Sequence, residues 1–79
     1  MTREDLARKL VEFIQQNYAP SSGYRITYTS PLLSAGVVDS FAIPEIIAMI
    51  EKWLCKSVDI SGLYPEDFET IESLVGKIW

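Results

Sequence analysis

Ile43, Ile46, Ile47, Ile50, Trp53 and Leu54 stand at i, i+3, i+4, i+7, i+10 and i+11. At about 100° per residue, that spacing gathers all six on one side of a helix. A side this apolar needs a partner surface. Two more stripes supply it. Leu6, Leu10, Phe13 and Ile14 form one, with Val11 and Tyr18 at its margins and Arg3, Glu4, Arg8, Lys9, Glu12, Gln15 and Gln16 opposite. Ile71, Leu74, Val75 and Ile78 form the other. Three one-sided helices bury their stripes against each other, so the pattern predicts an all-α bundle.

Local signals set the ends. Thr2 with Asp5 three residues on resembles a capping box, and Pro20-Ser21-Ser22-Gly23 stops the first helix. Ser40 opens the second, with Pro44 in or near its first turn. Val58-Asp59-Ile60 and Ser61-Gly62 read as a connection. Tyr64-Pro65-Glu66-Asp67-Phe68 reads as a short helical turn that points Phe68 inward, and Thr70 caps the last helix. The expected helices are about 2–17, 40–54, 65–68 and 70–78, within one domain over 1–79.

The long first connection poses a choice. Tyr24, Ile26 and Tyr28 alternate with Arg25, Thr27 and Thr29, as in a strand. No second run has comparable alternation, and a lone strand leaves its backbone hydrogen bonds unmade. The reading is an ordered loop, with Leu32 and Leu33 plugged into the core on a turn begun by Ser30-Pro31. Tyr24, Tyr28 and Tyr64 are expected to line loops over that core.

Several function classes drop out. Seventy-nine residues make one small core without a deep cleft. Histidine is absent and Cys55 is the single cysteine. That removes Ser–His and Cys–His catalytic pairs, a zinc site and any internal disulfide, and it suits a reducing cytoplasm. A net charge of −4 argues against nucleic-acid binding. No apolar run approaches a membrane span. The expectation is a protein that is not an enzyme and holds no metal.

What remains is Gly36-Val37-Val38-Asp39-Ser40-Phe41, with a hydroxyl at a helix start. Taken alone, Asp39-Ser40 before an apolar run is an ordinary cap in which either side chain accepts a backbone N–H. The wider context is more specific. Gly36-x-x-Asp39-Ser40, a bulky apolar residue after it, and Leu33 three residues before the glycine resemble the phosphopantetheine attachment motif of acyl, aminoacyl, peptidyl and D-alanyl carrier proteins. The resemblance extends over the whole chain, through the helix order, the long first loop and the ending Asp67-Phe68-x-Thr70-Ile71-x-x-Leu74. Asp39-Ser40-Phe41 is similar to D-alanyl carriers in particular.

The resemblance implies a small acyl-carrier-like four-helix bundle, three main helices and one short. It implies 4'-phosphopantetheine attached to Ser40 by a separate transferase, Asp39 in transferase recognition near that enzyme's magnesium, and Gly36 at the motif turn. Acyl or aminoacyl intermediates would ride on the arm as thioesters. The implied partners are the phosphopantetheinyl transferase, an acyl- or aminoacyl-loading ligase or transferase, and downstream synthase or tailoring enzymes. A monomer fits a protein that visits them in turn.

One departure bears on partner choice. Many fatty-acid carriers have Leu after the serine and an acidic second helix. Here Phe41 follows, and the expected outer face carries Ala42, Glu45, Ala48, Met49 and Lys52, with Lys56 beyond. Partners are expected to dock on Phe41, Ala48 and Met49 as much as on charge, and a small polar cargo is favoured over a growing fatty chain. The alternative is a small helical interaction module in which Ser40 is a cap or a phosphorylation site. Elsewhere, Cys55 reads as a small buried hydrophobe, Trp53 as core, and Glu66, Asp67 and Glu69 as a solvated helix start.

Overall fold

The computed structural model describes residues 1–19 and 25–79. The helix-stopping run Pro20-Ser21-Ser22-Gly23 and the loop position of Tyr24 lie outside the described residues. Among those described, the chain is all-α, without strands. Helix α1 spans Arg3–Tyr18, α2 Ala42–Leu54 and α3 Ile71–Ile78. Two 3₁₀ turns, Ile60–Gly62 and Pro65–Phe68, lie between α2 and α3. The second matches the expected short turn. The first falls in what reads from sequence as plain connection. Asp59 makes it by accepting from the Ser61 amide at 3.0 Å and the Ser61 hydroxyl at 2.6 Å.

The caps explain where the helices begin. Thr2 Oγ1 accepts from Asp5 N at 3.1 Å, and Asp5 Oδ2 accepts from Thr2 N at 3.2 Å, so two of the helix's otherwise unpaired donors are satisfied. Thr70 Oγ1 accepts from Ser73 N at 3.0 Å in the same way. The stripes then do what their spacing predicts. Leu6, Leu10 and Ile14 of α1, Ile46, Ile47 and Ile50 of α2, and Ile71, Leu74 and Val75 of α3 are buried together with Phe68. Removing any of these side chains to alanine would cost roughly 2–5 kcal/mol.

Trp53 and Leu54 end the α2 stripe only half-buried. Trp53 meets Phe13 edge to face at 5.9 Å between ring centroids, and Lys9 Nζ stands 5.7 Å from the Trp53 ring. The reading of Trp53 as core is thus corrected to a half-buried boundary position, packed against the core beside Phe13 and Lys9 of α1. Tyr28 packs against the core from the loop, as expected, whereas Tyr64 is mostly exposed. Tyr64 precedes Pro65 in extended backbone, which turns its ring outward.

The long loop is held without a sheet. Ile26 N donates to Gln15 Oε1 at 2.7 Å, Thr27 N to the buried Ser30 Oγ at 2.8 Å, and Leu32 N to the Glu69 carbonyl at 2.6 Å. Tyr28 O accepts from Glu72 N at 3.0 Å. Ile26 and Leu32 are buried and Leu33 partly so. The loop therefore satisfies its backbone through helix side chains, helix ends and its own Ser30, one group at a time.

The end of α2 overturns one expectation. Cys55 is exposed and has φ of 55°, ψ of 39°. It is the left-handed residue that terminates the helix, and both its N–H and that of Lys56 reach the Glu51 carbonyl. A buried small hydrophobe is excluded because this turn aims the side chain outward. Glycine adopts the conformation without the Cβ conflict, so Cys55→Gly should stabilise the fold by about 1 kcal/mol. A rise in the urea midpoint at unchanged slope would register it.

Candidate functional site

The segment into α2 is built by the turn over 32–38. Gly36 N donates to Leu33 O at 3.1 Å, while Val37 N and Val38 N both donate to Leu32 O, at 2.9 and 3.2 Å. Gly36 has φ of 75°, a conformation L side chains rarely adopt. A Cβ there would meet nothing within 4 Å, so the requirement for glycine is conformational and not a matter of space. Val38 then enters the core at 3% exposure and anchors the two polar residues that follow.

Asp39, and not Ser40, caps the helix. Its Oδ1 accepts from Phe41 N at 3.0 Å and Ala42 N at 3.2 Å. Phe41 takes the N-cap position, and α2 begins two residues later than expected from the sequence. The shift changes the cost of Pro44. It falls at the third helical position, where the missing N–H would have had no partner within the helix anyway. Ser40 is left exposed in the turn, and among the described residues its hydroxyl makes no hydrogen bond.

Phe41 is 89% exposed, the most exposed large apolar side chain described. With Glu45, Ala48, Met49 and Lys52 it covers a sector of roughly 100° on α2. Glu45, Ala48 and Lys52 are exposed and Met49 is half-buried. Ala42, expected on this face, is buried at 5% exposure. It stands about 40° from the buried Ile46 on the wheel, so it faces the core wherever the helix begins. Beyond this face, Ile43, Pro44, Ile47, Val58, Leu63 and Phe68 help to line an open apolar groove of about 490 Å³.

Glu45 is not a loose charge. Tyr18 Oη donates to its Oε2 at 2.9 Å, tying the end of α1 to the first turn of α2. Partial burial, then the hydrogen bond and charge of Glu45, push the Tyr18 phenol up to about 12, with Asp39 adding a smaller push.

Glu69 belongs to this region, although it reads from sequence as part of a solvated helix start. Its Oε1 accepts from Leu33 N and Ser34 N, each at 2.9 Å. The hydroxyl and amide of Ser34 hold its carboxyl below the usual range against the opposing effect of burial, with the amide of Leu33 adding a lesser pull. Asp67 is likewise engaged: its Oδ2 accepts from Tyr64 N at 2.8 Å. Glu66 is exposed, as expected. A glutamate 29 residues beyond the serine carries no local spacing signal that ties it to the loop.

Among the described residues, no group of three or more His, Cys, Asp or Glu side chains is placed to hold a metal ion, and no helix is long and apolar enough to cross a membrane. Comparison with family models, curated proteins and solved structures finds no match.

The Tyr18–Glu45 pair has a measurable signature. The folded phenol ionises above its unfolded value near 10. Its contribution to stability is therefore complete below about pH 10 and is lost as pH rises towards about 12. Ultraviolet titration should show one tyrosine ionising late. In Glu45→Gln that tyrosine should shift only part of the way down, since burial is the larger cause.

Proposed function

We propose that this chain is a carrier protein that bears 4'-phosphopantetheine on Ser40. The carrying observation is the serine's setting: an exposed hydroxyl without a protein partner, in a turn whose neighbours on both sides are fixed. Val38 is buried behind it, Asp39 is occupied with the helix start, and Phe41 projects beside it. Such a hydroxyl can enter another enzyme's active site without unfolding anything.

The residues suit a phosphodiester at this place. Ser40 Oγ is the attachment atom. The positive end of the thirteen-residue α2 favours the phosphate's negative charge. Asp39 uses Oδ1 for the helix and leaves Oδ2 without a hydrogen bond among the described residues, on an exposed residue that a magnesium-bearing transferase can reach. Gly36 permits the turn that presents both. When bound, the arm supplies a terminal thiol that holds acyl or aminoacyl groups as thioesters. The chain's own part is to present the serine and to be recognised. It performs no catalysis in this reading and holds no metal of its own.

The family reading also supplies the finer fold description, an acyl-carrier-like bundle of three main helices and one short one. The loading ligase or acyltransferase and the downstream synthase or tailoring enzymes dock on the α2 face in this proposal. Phe41 leads that face, with Ala48 and Met49 as its other apolar contacts and Glu45 and Lys52 as its charges. A small aminoacyl or polar acyl cargo, a cytoplasmic setting and a monomeric state complete it. A second reading has one observation in its favour. The exposed Phe41 and the adjoining apolar groove suit a helical interaction module that takes up a peptide or helix.

Mass spectrometry separates the two. Incubation with coenzyme A, magnesium and a broad-specificity phosphopantetheinyl transferase should add one phosphopantetheine, and Ser40→Ala should add none. An unchanged mass beside a modified control carrier would reject the carrier reading.

Phe41 gives a second test. Because its side chain is almost wholly exposed, Phe41→Ala should leave the melting temperature within about a degree, as expected for a surface change of a few tenths of a kcal/mol. Loading by the cognate ligase should fall roughly tenfold or more if the ring is a central contact. Retained loading, with loss on charge reversal at Glu45, would assign recognition to charge instead.

A further inference from the structure

The turn that leads to Ser40 is tied to the start of α3 through Glu69. Glu69 lies between the second 3₁₀ turn and α3, next to the cap Thr70. Its carbonyl accepts from Leu32 N at 2.6 Å, and its Oε1 accepts from Leu33 N and Ser34 N at 2.9 Å each. Three consecutive N–H groups of the loop thus end on one amino acid. The Leu32 carbonyl in turn accepts from Val37 N and Val38 N, which closes the turn directly before Asp39 and Ser40. The route from Glu69 to Ser40 passes through hydrogen bonds and one buried side chain, Val38, without an unanchored stretch.

We propose, resting on the carrier reading above, that the Glu69 carboxylate is a positioning residue for modification of Ser40: it registers the attachment loop against the start of α3. The choice of a carboxylate has a physical reason. One oxygen must accept two amides at once, and an ionised acceptor holds such donors about twice as strongly as a neutral one. The side chain is partly exposed and Ser34 is exposed, so the amides can turn to water when the carboxylate is removed. Loss of Glu69 therefore loosens the loop and leaves the buried stripes of α1, α2 and α3 in place. Tying this loop to α3 also keeps Ser40 in place when a partner engages α2.

The test uses the full chain with coenzyme A, magnesium and a broad-specificity phosphopantetheinyl transferase. Glu69→Ala should lower kcat/KM for loading roughly tenfold, because a loop misplaced by about an ångström presents the hydroxyl poorly. Glu69→Gln keeps an oxygen acceptor and should recover most of the rate. Glu66→Ala removes the same charge from the same turn without touching the loop, and should load as wild type. Amide exchange at Leu33 and Ser34 should quicken in Glu69→Ala while the core amides of α1 keep their protection. Should Glu69→Ala fail to fold, Glu69→Asp keeps the charge on a shorter arm and should show a smaller drop in the same direction. Equal loading of wild type and Glu69→Ala would overturn the proposal and leave the carrier reading standing. An equal loss in Glu66→Ala would also overturn it, by assigning the effect to charge alone. A wild-type chain that takes up no phosphopantetheine, beside a control carrier that does, would overturn both.

Discussion

The constraint on which this structure turns is the pairing of backbone groups in a long connection that has no sheet to join. Residues 25–41 must bring N–H and C=O groups close to an apolar core, and each group that loses water needs a partner. Helix side chains, helix ends and one side chain of the loop itself provide those partners. Gln15 of α1 takes the Ile26 amide, Ser30 takes that of Thr27, and Glu69 takes three in a row. Leu32 and Val38 can be buried because of this pairing, and the burial of Val38 fixes the two residues after it. The order of the exposed Asp39-Ser40 turn is thus inherited from contacts made well away from it.

The helices themselves were legible in the sequence because their signals are periodic or local. The stripes of α1, α2 and α3 repeat at helical spacing, and the caps Thr2 and Thr70 meet partners three residues on. The rejection of a strand at residues 24–29 follows from counting possible partners, and the described part of that run, 25–29, forms none. The misses have equally definite causes. Cys55 depends on a left-handed backbone that its residue type does not announce. Ala42 is expected on the outer face although its own wheel position, about 40° from Ile46, puts it inward. At the candidate site, Gly36, Asp39 and Ser40 could be singled out from their own spacing. Glu69 could not, since its partners Leu33 and Ser34 offer only backbone amides and any residue there would offer the same.

The two sides of α2 also differ in how they are held. Its inner face is fixed by burial, while Phe41, Ala48 and Lys52 on the outer face rest on helix geometry alone. Glu45 is the exception, since Tyr18 holds it by a hydrogen bond that stays intact while the phenol is protonated. A partner that approaches this face meets one acid already directed by α1, beside an aromatic ring free to adapt.

Pro44 sets a boundary on all of this. For α2 to grow backwards by one residue, the Ser40 carbonyl would need a donor from residue 44. That residue has none, and its ring occupies the space the carbonyl would take. The helix can fray away from Ser40 but cannot advance over it. A partner that tightens α2 therefore cannot wind the serine into the helical cylinder. The hydroxyl keeps to the doorstep of the helix whatever happens further along it.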